Sequence, residues 1–133
     1  MFEWNPAYSV SIGSIDAQHR SILAAGRELC TAVSTGQSTG VQVRLLDRVM
    51  QFAAMHFAHE ERLMRSHEYP DVAAHQAEHE ALAARVMKFR DDLEAGRATV
   101  SNEVLSFLET LVISHIQGSD SKYTPFLCKK TDA

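Results

Sequence analysis

The sequence predicts an all-α protein: an up-down-up-down antiparallel four-helix bundle with an N-terminal arm, formed as a single domain over residues 1–133. Three observations predict it. Four stretches carry apolar residues at helical spacing, with short loop signals between them. Only three prolines and six glycines occur, so long helices run uninterrupted. No stretch shows the apolar–polar alternation of a half-buried strand. Amphipathic helices joined by short loops bury their apolar stripes against one another as antiparallel neighbours.

The arm, residues 1 to about 14, is rich in aromatics: Phe2, Trp4 and Tyr8. The first helix is expected over residues 16–34, with the stripe Ile15, Ile22, Gly26, Leu29 and Val33 and with His19 in register. Asp16 suits the positive end of its dipole. The segment from Thr35 to Gly40 ends it. The second helix is expected over residues 41–66, where Leu45, Val49, Phe52, His56, Glu60 and Leu63 share a face. Pro70 stops that helix or starts the next, because proline fits only a first turn. The third is expected over residues 71–95, with Val72, His75, His79, Leu82, Val86, Phe89 and Leu93 on its stripe and Gly96 as its C-terminal cap. The fourth starts at a Ser101 cap and aligns Val104, Leu108, Leu111 and His115. Residues 123–127 are expected to pack across the bundle.

At 133 residues the chain is long enough to bury a core without disulfide staples. Apolar residues make up 45% and charged residues 23%, as in ordinary globular domains. A net charge of -4 argues against nucleic acid and anionic membranes as partners. No apolar run approaches the ~18–20 residues of a membrane span. The first ten residues include Glu3, Trp4, Asn5 and Pro6 and lack the basic and apolar regions of a signal peptide. The expectation is a cytoplasmic monomer. Cys30 and Cys128 form no CxxC pair and are expected as free thiols.

Histidine is the outlier, with seven residues, five of them between positions 56 and 79. They fall on the apolar stripes. His19 lies on the first helix, and His56 and Glu60, four apart, share a face of the second. His75 and His79 do the same on the third. His115 lies on the fourth, followed by Asp120. A lone histidine on such a stripe is most often a hydrogen-bonded core residue. Five imidazoles and two carboxylates in one core are different. Without a partner each buried charge would cost several kcal/mol, on the order of 2–7 for even a neutral polar group. Coordination removes that cost, so the stripe set predicts a metal site. One spacing is awkward. His115 and Asp120 point about 140° apart in an ideal α-helix at ~100° per residue. They converge if the helix loosens into a π-type turn, which Gly118 permits.

Imidazole and carboxylate suit iron, zinc, copper or manganese. Seven ligands exceed the need of one ion and suit two. With both carboxylates and a solvent-derived oxygen bridging, five histidines divide three and two, which leaves one open position for a small molecule. The carboxylate-rich di-iron bundles use Glu-x-x-His on two helices. That spacing does not occur here, so the site belongs outside their group.

The sequence resembles the hemerythrin family, in particular its short single-domain bacterial members, along nearly its whole length. The resemblance rests on the aromatic arm with Trp4, on Ile15-Asp16-Ala17-Gln18-His19 and on His56-Phe57-Ala58-His59-Glu60-Glu61. It continues through Tyr69-Pro70, His75-Gln76-Ala77-Glu78-His79, His115-Ile116, Asp120 and Lys122-Tyr123. It implies reversible dioxygen binding at a non-haem di-iron centre, oxo- or hydroxo-bridged, in a protein that is not an enzyme. By position His75, His79 and His115 resemble the ligands of the closed iron, His19 and His56 those of the oxygen-binding iron, and Glu60 and Asp120 the bridges. The implied roles are oxygen storage, transport or delivery to an oxygen-using enzyme. An oxygen or redox sensor, or a di-iron enzyme reducing nitric oxide or peroxide, is the alternative. A dinuclear zinc hydrolase is more distant, since neither a nucleophile triad nor a phosphate loop is visible. Ile22, Leu23 and Phe52 are expected to restrict water around the open iron.

The remaining candidates have other expected roles. His59 is placed on the helix flank. His67 lies near the C-terminus of the second helix, where a cation is favoured. Met50, Met55 and Met64 are expected as packing residues. Gln18, Ser114 and Tyr123 are candidates for orienting the metal-bound histidines.

Overall fold

The computed structural model describes residues 1–120, with side chains up to residue 118. Several helix ends are set by local capping chemistry. A short 3-10 turn, Pro6–Tyr8, follows an Asn5 cap whose side chain accepts from Ala7 N. Helix α1, Gly13–Ser34, ends at Thr35, and Gly36 then takes a positive φ of 71°. Helix α2, Thr39–Ser66, is capped by Ser38, whose Oγ accepts from Val41 N. Helix α3, Val72–Glu94, is followed by Ala95 and by Gly96 at φ 79°, the left-handed C-terminal position that glycine occupies without strain. Helix α4, Asn102–Ser114, is capped by Ser101 as its sequence predicts, with Oγ accepting from Val104 N. It runs directly into a π-helical turn, His115–Asp120. The distortion expected from the spacing of His115 and Asp120 is therefore present in the backbone. Among the described residues there is no strand, and no helix is long and apolar enough to cross a membrane.

Two apolar clusters lie along the bundle. The first joins Val10, Ile15, Met64 and Tyr69, that is, the start of α1 to the end of α2. The second joins Leu29, Val43, Leu46, Leu93, Val100 and Leu105, that is, the end of α1, the start of α2, the end of α3 and the start of α4. In α1, α2 and α3 the buried histidines and Glu60 fall between the two clusters, in the order that antiparallel neighbours require. The arm is tied down by Asp16, whose carboxylate accepts from buried Val10 N at 2.9 Å and from Ser9 Oγ at 2.5 Å. Phe2, 2% exposed, lies on Gly26 so closely that a Cβ there would stand 2.5 Å from its ring. Arg27 donates to Phe2 O at 2.8 Å, and Phe2 N donates to Glu109.

The α2 stripe keeps its expected register at His56 and Glu60 but differs at its two ends. Leu46 and Met64 are fully buried, whereas Leu45 and Leu63 are half-buried. Met64 is thus a packing residue as expected, but Met55 is 66% exposed and is not. Cys30 is a half-buried free thiol, and burial raises its pKa. Residues 123–127 and Cys128 lie outside the described residues.

Candidate metal centre

Helical geometry puts residues four apart on one face, so α2 aims His56 and Glu60 at the axis of the bundle and α3 aims His75 and His79. Helix α1 supplies His19, and the start of the π turn supplies His115. All six are buried, with Glu60 at 0% exposure. Their donor atoms form two overlapping groups: Glu60 with His75, His79 and His115, and His19 with His56 and Glu60. The five histidines divide three and two, and Glu60 belongs to both groups. Its Oε1 lies 2.7 Å from His56 Nε2, 3.4 Å from His79 Nε2 and 3.9 Å from His115 Nε2, while Oε2 lies 3.9 Å from His75 Nε2. His19 Nε2 and His56 Nε2 are 2.9 Å apart.

The outer nitrogens explain why the inner ones converge. His56 Nδ1 donates to Gln18 Oε1 at 2.8 Å, His115 Nδ1 to Glu78 Oε1 at 2.8 Å, and His79 Nδ1 to Glu61 Oε2 at 3.3 Å. Each acceptor holds the proton on Nδ1 and leaves the Nε2 lone pair directed at Glu60. Lone pairs and a carboxylate so close together in a buried space repel unless a cation lies among them. His79 Nε2, moreover, is buried and makes no hydrogen bond. A metal ion satisfies every one of these atoms. The arrangement is the one in which a second residue orients a ligating imidazole, and nitrogen-rich donors of this kind fit iron.

Gln18 was expected among the orienting residues and is one. Glu61 and Glu78 were not singled out. Their sequence signal is adjacency, since each directly neighbours a stripe residue, Glu60 or His79. Ser114 is exposed, and Tyr123 lies outside the described residues. Asp120 ends the π turn, and its side chain lies outside the described part of the structure. His59 sits on the flank as expected, 3.0 Å from Ser14 Oγ, with its pKa lowered by burial and then by Arg62 and His56. His67 occupies the cap of α2, its Nδ1 donating to Leu63 O at 2.9 Å. The aromatic wall differs from expectation. Phe57, not Phe52, lies against the histidines and stacks on His79 with ring centroids 3.9 Å apart. Phe52 instead faces the Arg48 guanidinium.

Comparison with known proteins agrees with this geometry. The model of the hemerythrin HHE cation binding domain matches residues 10–127. The chain belongs to the hemerythrin family. Among its relatives, the bacteriohemerythrin of Stenotrophomonas maltophilia is 34% identical over 90% of this chain and 77% of its own. That of Methylococcus capsulatus is 30% identical over 96% of this chain and 97% of its own. A crystal structure of wild-type hemerythrin superimposes with a TM-score of 0.86 at 30% identity, covering 94% of this chain and 96% of that one. This hemerythrin-family chain is thus similar to its relatives in the segment that holds the histidine cluster as well as in fold.

Proposed function

We propose that the protein binds dioxygen reversibly at a non-haem di-iron centre and serves in oxygen storage, transport or delivery to an oxygen-using enzyme, as a binding protein rather than a catalyst. The observation that carries the reading is Glu60, fully buried and common to a three-histidine and a two-histidine group. In this reading His75, His79 and His115 would hold one iron, His19 and His56 the other, and Glu60 and Asp120 would supply carboxylates to both. The two-histidine side, with fewer protein ligands, would be the one that takes the small molecule. Family membership supports the same assignment. The protein acts as a cytoplasmic monomer of one domain over residues 1–133.

Held by these residues, a ferrous pair would supply the electrons for dioxygen binding. The chain's own residues do the rest. Gln18, Glu61 and Glu78 hold protons on the Nδ1 atoms of His56, His79 and His115, which keeps each Nε2 available as a ligand. Phe57 packs beside His79 and fixes its plane. Ile22, Val112 and Ile116 line the space next to His19, His56 and His115 and exclude water and protons from it.

An optical spectrum of iron-quantified protein tests the reading. The protein is reduced without air, exposed to oxygen and then degassed. Two irons per chain, with a charge-transfer band that appears with oxygen and disappears on degassing, is the expected result. Fast irreversible oxidation would transfer the assignment to a redox sensor or a di-iron enzyme. Failure to hold two irons would end it.

A further inference from the structure

The interior of the bundle holds more space than a diatomic gas requires. A cavity of about 300 Å³ extends from the edge of the histidine cluster toward the second apolar cluster, and all four helices line it. One end is formed by His19, His56 and His115, and Phe2 also contributes to its wall. Apart from those three histidines, every described residue lining it is apolar or glycine. A small diatomic molecule is close in size to a water, whose share of liquid volume is about 30 Å³. It would fill roughly a tenth of this space. An engineered apolar cavity of about 150 Å³ is enough to take up benzene.

We propose that this cavity is a binding site for an uncharged apolar organic molecule, with room for a substituted aromatic ring or a short hydrocarbon chain. The lining fixes the chemical class. A polar ligand would give up its hydrogen bonds to water and find no partner along most of the wall, whereas an apolar one gains by leaving water. Pockets of this size lined by aliphatic side chains ordinarily hold ligands of that class. The way in is marked by Ala54, Ala83 and Met87, lining residues that are also exposed. Two of them are small, and the third is an unbranched, adaptable side chain that swings aside at little cost. An occupant reaches the His19–His56 edge of the cluster, so it competes with dioxygen there. That competition rests on the oxygen-binding reading, but the cavity itself does not.

Calorimetric titration of the iron-loaded protein with toluene tests the proposal. The expected result is saturable binding at one site per chain. Ala53→Phe places a ring inside the cavity and should weaken toluene binding roughly tenfold or more, because the new side chain takes the ligand's volume. Met55→Phe adds a ring on the exposed face of the same helix and should leave binding unchanged. Circular dichroism checks that each variant is folded, and Leu82→Trp replaces Ala53→Phe if the latter does not fold. Absence of saturable binding to the unmodified protein, or equal binding by a folded cavity-filling variant, overturns the proposal. The oxygen spectrum is recorded on the same samples. Toluene binding without reversible oxygenation would remove the oxygen-binding reading and leave the cavity site standing.

Discussion

His115 and Glu78 meet across the bundle, the imidazole Nδ1 donating to the carboxylate Oε1 at 2.8 Å. They come from different helices, 37 residues apart, and the contact turns His115 Nε2 toward Glu60. Such partners typically contribute about 10- to 100-fold to metal affinity. Glu78→Ala should therefore lose iron to a competing chelator at a roughly 10- to 100-fold lower chelator concentration, with helicity unchanged. Glu78→Gln keeps an acceptor oxygen and should recover part of the loss. Iron retention by Glu78→Ala equal to that of the parent protein would show that the contact does not orient His115.

Removing the metal should destabilise the fold. The convergent Nε2 atoms and Glu60 lose the cation that reconciles them, and a ligand present at a thousand times its Kd contributes about 4 kcal/mol. For a domain of this length that corresponds to a fall in Tm on the order of 10 °C. Differential scanning calorimetry of chelated and reconstituted protein measures it, and identical transitions would mean that no metal is bound in the core.

Gly26→Ala should displace the arm. The added methyl would stand 2.5 Å from the Phe2 ring, and overpacking of this kind costs about 1–3 kcal/mol. Combined with Phe2→Ala the penalty should largely vanish, because the two residues are in direct contact. A double-mutant cycle from urea unfolding reads the coupling. Simple additivity would place the cost elsewhere.

Asp16→Ala should leave the buried Val10 N–H without its acceptor and cost about 1–3 kcal/mol. Asp16→Asn retains an oxygen and should cost less. Equal losses in the two variants, measured by urea midpoint, would show that charge at the start of α1 matters more than the hydrogen bond.

Asp92 supplies a pH test. Hydrogen bonds from Lys88 and then from Arg97 hold its pKa below the ordinary 3.8. A depressed folded-state value stabilises the protein above the unfolded pKa, and that contribution is lost as pH falls through the folded one. Asp92→Asn should therefore unfold slightly earlier than the parent at pH 6, and the difference should shrink to nothing as the pH falls through the folded-state pKa of Asp92. The effect is small, because the group is at the surface. A gap that persists or widens in acid would contradict the assignment.

Much of the architecture is legible in the one-dimensional pattern because helix periodicity and caps are local properties. Ser101, Gly96 and the 3.6-residue stripes mark the helices directly, and the histidines stand out because they interrupt apolar stripes. The π turn is also legible, since the five-residue spacing of His115 and Asp120 fits no α register. Other features depend on distances between helices. Whether Glu61 and Glu78 are solvated flank residues or partners of His79 and His115 is decided by how closely α2, α3 and the end of α4 approach. The place of Phe57 against His79, and of Phe52 beside Arg48, has the same origin: which ring of α2 meets the histidines depends on where α3 presents His79. The volume of the internal cavity has no local signature at all, because it is the residue of four packed surfaces.

The π turn at His115–Asp120 has a consequence for how such a chain diverges. Each turn of this kind closes its hydrogen bonds over five residues rather than four, so the separation of its two ends is set by chain length and not by side-chain identity. Deletion of a single residue between positions 116 and 119 removes that separation, whereas substitution preserves the residue count on which it depends. Ile116 is constrained separately, because it is buried and lines the cavity. The length of this short stretch is thus held by one requirement and its composition by another.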